Sequence, residues 1–524
     1  MSGLFEKPLW ELKDFGDLAK DIEKKAGPMA ASGCMDSQKV HLMYEAAKSA
    51  DLKLVVTYDD TRAREIYEDL SFFDSDVWLY PARDLLFFNA DIHGNLLTKQ
   101  RMTVFRHLME QTSGWVITTI DGLMDHLLPL SALKEQVLPV KSGQTIDIEK
   151  WKKHLAELGY ERMAQVDGMG QFSIRGGIID VFPLTEELPV RIELWDDEVD
   201  SIRTFDLESQ RSIEQLEEIN IYPASEMVLT KERLEEGMDS IQKEVKKYEK
   251  DLRGQSKIEE AARIRSIINE LLEGLKEGYK QQGLDGYIHY FCPDSVSFLD
   301  YFKKDHTVLF IDEPERLKEK GETVEMEFRE SMIHRLDNGY LLPGQTGLLF
   351  PAKEMLAAVQ TRTTVYLTGL EQKLSGFEVK NRYSFQVKNV SAYQNGFELL
   401  IKDLTRWKKE GYRIILLSAS RTRASRLAGD LREYDLRAYC PADEEERDVK
   451  PGEILVTYGK LHRGFEYPLI KFIVITEGDM FGGEKKKRKR KKAAYEGTKI
   501  HNFAELSIGD YVVHEDHGLG AVSY

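Results

Sequence analysis

The sequence predicts an α/β protein in which a parallel-sheet domain is interrupted by an antiparallel α+β module and followed by a second small α/β domain. Three observations carry this. The apolar runs "LKLVVTY" and "WVITTI" are each followed by helical spacing, which is the strand-to-helix step of a parallel sheet. Near residue 170 the texture changes to apolar–polar alternation with tight turns. After residue 350 the strand-to-helix step returns.

Length and composition fit such a chain. Its 524 residues leave room for about three or four domains. Hydrophobic residues make up 42%, enough for folded cores, and 90 acidic against 73 basic side chains give a formal charge of −17. An acidic chain is repelled by duplex DNA at long range, so any nucleic-acid contact has to come from a local basic patch. Three scattered cysteines, Cys34, Cys292 and Cys440, form neither a disulfide framework nor a zinc pattern. No run reaches the roughly 18 apolar residues of a membrane span, and no basic, apolar leader is present at residue 1. The expected setting is the cytoplasm, with no membrane partner.

The elements follow in order. Over residues 1–130, "SQKVHLMYEAAKSA" has helical spacing, "LKLVVTY" is a buried strand, and "DDTRAREIYEDL" opens on cap residues and continues as an amphipathic helix. Residues 131–222 form the insertion: the helix "IDIEKWKKHLAELGY", then strands in "QFSIRGGIIDVFP", "PVRIELWDDEVDSIRTF" and "INIYP". In "PVRIEL", Val190, Ile192 and Leu194 share one face, and Arg191 and Glu193 share the other. Residues 223–351 hold two charged helices broken near Gly254, then "HTVLFIDEPERL", where the first domain resumes. Residues 352–478 form the second α/β domain. Residues 479–502 are a linker with eight consecutive basic residues, Lys485 to Lys492. The stretch 503–524, "LSIGDYVVHEDHGLG" at its heart, predicts two short strands around a Gly-rich turn. So short a stretch cannot bury a core alone, and the chain is expected to stop inside a domain.

The segment "AASGCMDSQKV" stands where a helicase-like ATPase core places its phosphate loop. Such a loop needs glycines, then Gly-Lys-Ser/Thr, so that backbone N–H groups, an ammonium and a metal-binding hydroxyl meet the phosphates. Two registers are open. One sets Ala30, Met35, Asp36 and Ser37 at the Gly, Gly, Lys and Ser/Thr places. The other sets Gly33, Gln38, Lys39 and Val40 there. Either lacks at least two working parts. The acidic pair Asp312 and Glu313 in "LFIDEPER" then has little to coordinate. Gly33, Asp36, Ser37, Asp312 and Glu313 are therefore the remains of a nucleotide site in a degenerate RecA-like domain. No catalytic residue and no metal or nucleotide cofactor is expected for this chain.

Other motifs are weaker. Lys485, Lys487, Arg488 and Arg490 are candidate contacts to nucleic-acid phosphates, or else a solvated tether. His514 and His517 lack a third ligand and are not read as a metal site. Gly176 and Gly177 mark a turn or bulge.

Taken together, "GQFSIRGGIIDVFPLTEELPVRIELWDDEVDSIRTFDLESQRS", "LFIDEPER" and "LSIGDYVVHEDHGLG" resemble the bacterial transcription-repair coupling factors over nearly the whole chain. The first stretch is shared more loosely with the excision-repair helicase UvrB. The resemblance implies the N-terminal part of such a factor: a degenerate UvrB-like motor domain, an inserted UvrA-binding domain, a small α/β domain, and the start of a small β-barrel that grips the RNA polymerase β subunit. It implies UvrA docking through Arg162, Arg175, Arg191 and Glu193, with Ser173 replacing one arginine of the UvrB pattern. Arg175→Ala or Arg191→Glu is then expected to weaken UvrA binding with the fold intact. "YPARDLLFFNADIHGNLL" is too short for the DNA-probing hairpin of UvrB, so damage verification is not expected. In the full-length relatives, motor domains using ATP and Mg²⁺ would translocate on DNA and displace stalled polymerase. Two alternatives differ in class: an active UvrB-like helicase, and a DNA-binding scaffold working through the basic linker.

Overall fold

The computed structural model describes residues 2–83, 94–277, 283–393, 396–440, 448–482, 511–514 and 518–521. The basic run 485–492 and most of the short segment in place of a probing hairpin, residues 84–93, lie outside the described residues. Among the described residues, no helix is long and apolar enough to cross a membrane.

The first sheet has seven strands, numbered here in chain order. Across the sheet they run Asn381–Ser384 (β15), Met29–Ser32 (β1), Thr363–Thr368 (β14), Thr307–Asp312 (β13), Leu52–Thr57 (β2), Gly114–Thr119 (β4) and Val77–Leu79 (β3). Every pairing is parallel. Strands β2, β4, β13 and β14 are buried at every position. Helices cover both faces of such a sheet, so its strands read as unbroken apolar runs. This is the α/β fold the sequence predicts.

One expected boundary moves. Residues 363–368 and 381–384 fall within the range 352–478 expected for the second domain, but they form strands β14 and β15 of the first sheet, which therefore extends to Ser384. The run "TTVYLT" states that a buried strand is present; nothing in its period states which sheet it enters.

The inserted module is a six-stranded sheet. Its order is Ser212–Leu216 (β11), Glu198–Phe205 (β10), Val190–Trp195 (β9), Ile178–Phe182 (β8), Gln171–Arg175 (β7) and Glu161–Arg162 (β6). All pairs are antiparallel except β6 with β7. Phe172, Ile179, Val181, Val190 and Ile192 face the core. The helix Ile148–Glu157 contributes its buried Trp151 and Leu155. The chain enters and leaves side by side, because Leu138–Lys141 (β5) pairs antiparallel with Glu218–Ile221 (β12).

The second α/β domain has a six-stranded sheet. Its order is Lys388–Asn389 (β16), Phe465–Tyr467 (β20), Phe472–Thr476 (β21), Arg413–Ser418 (β17), Ile454–Tyr458 (β19) and Ala438–Tyr439 (β18). Further on, Tyr511–His514 (β22) and Gly518–Ala521 (β23) pair as an antiparallel hairpin.

The two α/β domains share one core. Helices Ser2–Leu9 (α1), Lys13–Glu23 (α2), Asp36–Ala46 (α3) and Asp60–Phe73 (α4) belong to the first. Phe5 on α1 meets Phe72, Phe73 and, across the boundary, Phe472 edge-on. His41 on α3 stacks on Phe465 at 5.3 Å. Tyr467 donates to His41 Nδ1 (3.2 Å), and His41 Nε2 donates to the Phe5 carbonyl (3.1 Å). Burial pushes His41 down to about 3, which keeps the ring neutral as those bonds require.

His462 closes the edge of this boundary. Its Nδ1 lies 2.9 Å from Asp69 Oδ1 and its Nε2 lies 3.4 Å from Glu68 Oε2, which also takes Lys460. The Asp69 hydrogen bond, aided by the charges of Asp69, Glu68 and Glu65, outweighs partial burial and holds His462 above the ordinary histidine value. A raised folded pKa contributes fully below about pH 6.5 and fades as pH rises through the folded value. The Tm gap between wild type and His462→Gln is therefore expected to be widest near pH 6 and to shrink at alkaline pH. Scanning calorimetry across that range checks this, and a gap that grows with pH refutes it.

Candidate functional sites: a closed ion cluster and a charged sheet face

At the end of β1 the chain turns at Gly33, with φ +75°. A Cβ there would lie 1.9 Å from the Phe385 carbonyl oxygen, so the turn can close only on glycine. Helix α3 follows at once. Lys39, in its first turns, is buried and points at the end of β13. Its Nζ donates to Asp312 Oδ1 and to Glu313 Oε1, both at 2.6 Å. Asp312 also accepts from Thr57 Oγ1 (3.0 Å) and Arg62 Nε (3.2 Å). Glu313 Oε1 accepts the Gly369 N–H at 2.9 Å. Burial raises Asp312, but the adjacent Lys39 and Arg62 charges more than reverse this and hold it below the ordinary carboxylate range.

The remaining loop residues face the second domain. Ser37 Oγ accepts the Arg463 N–H at 3.0 Å. Asn389 donates to Asp36 Oδ2 at 3.3 Å, and Gln38 donates to the Tyr467 hydroxyl at 2.9 Å. Asp312 and Glu313 thus gather around Lys39, Gly33 makes the turn into α3 against Phe385, and Asp36 and Ser37 are drawn into the domain boundary. Each group that would address phosphate or metal already has a partner within the chain.

The second constellation lies on the solvent face of the inserted sheet. Asp180 on β8 sits directly across from Arg191 on β9. Arg191 donates to both its oxygens, Nε to Oδ1 at 2.7 Å and Nη2 to Oδ2 at 3.0 Å. Arg175, at the end of β7, donates to Oδ2 at 2.8 Å. Between them the two guanidiniums bury Asp180 almost completely. The Asp180 hydrogen bond and charge raise the Arg191 pKa against partial burial. Arg191 also donates to Gln210 Oε1 (2.8 Å) and lies 4.4 Å over the Phe205 ring. Glu193 pairs with Arg203 on β10 and accepts from Ser201 Oγ. Gly176 makes the β7–β8 turn at φ +61°, and a Cβ on Gly177 would come within 2.9 Å of the Leu194 carbonyl oxygen.

Residues 138–227 match the UvrB interaction domain. The transcription-repair-coupling factor of Bacillus subtilis is 32% identical over 468 residues, which cover 89% of this chain and 39% of that protein. Those of Staphylococcus epidermidis and Staphylococcus haemolyticus are each 30% identical over 497 residues, covering 93% of this chain and 41% of theirs. The chain is a homologue of the transcription-repair-coupling factors. It fits their N-terminal part and spans about two-fifths of the length of the relatives it matches.

Of the four residues assigned from the coupling-factor pattern, three come together. Arg175, Arg191 and Glu193 share the polar face. Arg162 does not join them. It is exposed on the edge strand β6, in register with the core-facing Phe172, and so belongs to the other side of the pleat. Asp180, around which the arginines turn, was not among the expected site residues, and neither was Arg62 or Lys39. A signal for Asp180 exists, since it is the one carboxylate in "GIIDVF" and its position has the parity of the polar face. The expectation that Arg191→Glu leaves the fold intact also changes. That substitution sets a second carboxylate against buried Asp180, whereas Arg175, about half exposed, can be removed while Arg191 still covers it. The basic quartet Lys485, Lys487, Arg488 and Arg490 lies outside the described residues. Among the described residues, no group of three or more His, Cys, Asp or Glu side chains is placed to hold a metal ion.

Removing one partner from a buried ion cluster strands the other, at a cost of about 3–5 kcal/mol. Lys39→Met is expected to lower the unfolding free energy on the order of 3 kcal/mol, and adding Asp312→Asn should recover part of it. Urea unfolding of the single and double variants measures both. Asp312, with its depressed pKa, contributes above its unfolded pKa of about 3.9 and loses that contribution as pH falls through the folded value.

Proposed function

We propose that this chain is a non-catalytic recruiting module of transcription-coupled nucleotide excision repair. In this reading the polar face of the inserted sheet docks UvrA at lesions where RNA polymerase has stalled. The observation that carries it is the Asp180-centred pair of arginines, which lies within the residues matching the UvrB interaction domain. Planar guanidiniums already held by a carboxylate lose little freedom on binding, and Arg is enriched among interface hot spots.

The module works without ATP or metal in this reading. Lys39, the one cation of the loop able to meet a phosphate, is taken up by Asp312 and Glu313. The same contacts weigh against an active UvrB-like helicase. The remaining length of the relatives would supply the ATP-dependent DNA translocase that displaces polymerase. The hairpin of β22 and β23 would begin the domain that grips the polymerase β subunit.

Two measurements test this. Arg175→Ala should weaken UvrA binding roughly tenfold with an unchanged Tm, and unaltered affinity in a quantitative pull-down refutes the docking face. Titration calorimetry of the chain with ATP and Mg²⁺ should show no binding heat, and micromolar binding overturns the non-catalytic assignment.

A further inference from the structure

The polar face of the inserted sheet continues beyond Glu193. Arg191, Glu193 and Trp195 alternate along β9 and so project from the same side. Trp195 is 81% exposed, more than any other large hydrophobic residue of the described surface. Among the described residues its ring has no aromatic, cationic or hydrogen-bonding partner. An indole left in water at the end of a charged sheet face calls for an occupant.

The position is rigid. Trp195 and Glu198 stand directly opposite, and the chain reverses through Asp196, at φ +58°, and Asp197. A neighbouring segment braces this turn. The Ile146 N–H donates to the Asp197 carbonyl at 2.7 Å, Val199 N–H to Gln144 at 2.8 Å, and Gly143 N–H to Val199 at 2.8 Å. The ring is therefore carried on a hairpin held at both sides, and little backbone ordering remains to be lost on binding.

Its charged surroundings select the partner. Asp196, Asp197, Glu198 and Asp200 are all exposed around the turn, and none has an ion-pair partner among the described residues. Arg175 ends β7 at this same end of the sheet, two strands across and in register through Ile178 with Glu193, and Arg191 and Arg203 stand opposite each other one row farther from the turn. The face thus sets an exposed indole on an acidic turn beside a band of arginines.

We propose that Trp195 is the apolar anchor of this docking face, seated in a pocket of the partner whose rim is lysine or arginine. A basic rim answers the four carboxylates and sets a cation over the indole ring. The inference rests on UvrA being the protein docked here, and it assigns the chemistry of the UvrA surface that receives the hairpin.

The test titrates UvrA against the whole 524-residue chain as wild type, W195A, W195F, D197K/E198K and R175A, at low and high salt, with Tm and sedimentation of each alone. W195A should weaken binding about 30-fold or more with its Tm unchanged, and W195F far less. D197K/E198K should weaken it chiefly at low salt. If R175A loses affinity while W195A binds as wild type, the anchor is wrong and the docking reading stands. If wild type fails to bind, or both variants bind as wild type, the docking reading falls and the anchor with it. Self-association of the wild-type chain that W195A abolishes overturns the assignment in favour of a second copy.

Discussion

Lys39 carries a full charge in a place water does not reach, and the structure around it is arranged to answer that charge. An isolated buried ammonium is several kcal/mol out of balance, so a folded chain must bring carboxylates to it. Asp312 and Glu313 come from 273 and 274 residues away. The pairing ties the first turns of α3 to the end of β13, on the far side of β14. Arg62 on α4 joins the same carboxylate, so two helices and a central strand meet at one atom group. In a working nucleotide site of this shape the ammonium is left for phosphate, and water and ligand satisfy it in turn. Here the answer is internal, two carboxylates of the chain itself, and the loop packs against its neighbours. Phe385 closes over Gly33, and the second domain takes Ser37 and Gln38.

The same constraint governs how the inserted module is presented. Arg101 is fully buried, and its guanidinium holds Glu226 through both carboxylate oxygens (2.9 and 3.0 Å) and Asp125 at 2.9 Å. Arg83 reaches the same Glu226 at 2.6 Å. Glu226 lies just past β12, where the chain leaves the module. Tyr222, between them, donates to Glu110 on the first domain at 2.5 Å and accepts from Tyr160 of the module at 2.6 Å. The exit of the module is thus pinned by buried charge rather than hinged on a loose tether. A docking face gains from such mounting, because a partner that binds it does not first have to order it.

What the sequence made legible follows from which forces are local. Strands β2, β4 and β13 announce themselves as unbroken apolar runs, and the insertion announces itself by alternation at Val190, Ile192 and Leu194, because burial writes a period into the chain. Pairing partners leave no such period. The run "TTVYLT" is apolar and β-branched enough for a strand, but nothing in it marks it as a neighbour of β1 and β13. Lys39 was visible at the lysine place in one register of the loop, but its carboxylates lie hundreds of residues on, and only the fold brings them together. Arg162 shows the converse. Its residue type matches a pattern, while its register with Phe172 on an edge strand, which no local period reveals, places it on the other side of the sheet from Arg175 and Arg191.

Buried ion pairs bear on the polar face of the insertion as well, where they limit which side chains can face a partner. Arg191 is largely committed: it holds both oxygens of Asp180, covers Phe205 and reaches Gln210. Such a residue shapes the face more than it greets a newcomer, since any new bond competes with ones already made. Arg175 shares Asp180 through a single donor and keeps the rest of its fork in water. Glu193 is engaged by Arg203. The groups still open to a second protein are therefore the outer arginine and the hairpin beyond Glu193, two strands apart at the same end of the sheet. In the proposed docking, a partner that touched only the centre of this face would find its charges already neutralised, whereas the turn end offers Arg175 and the exposed Trp195.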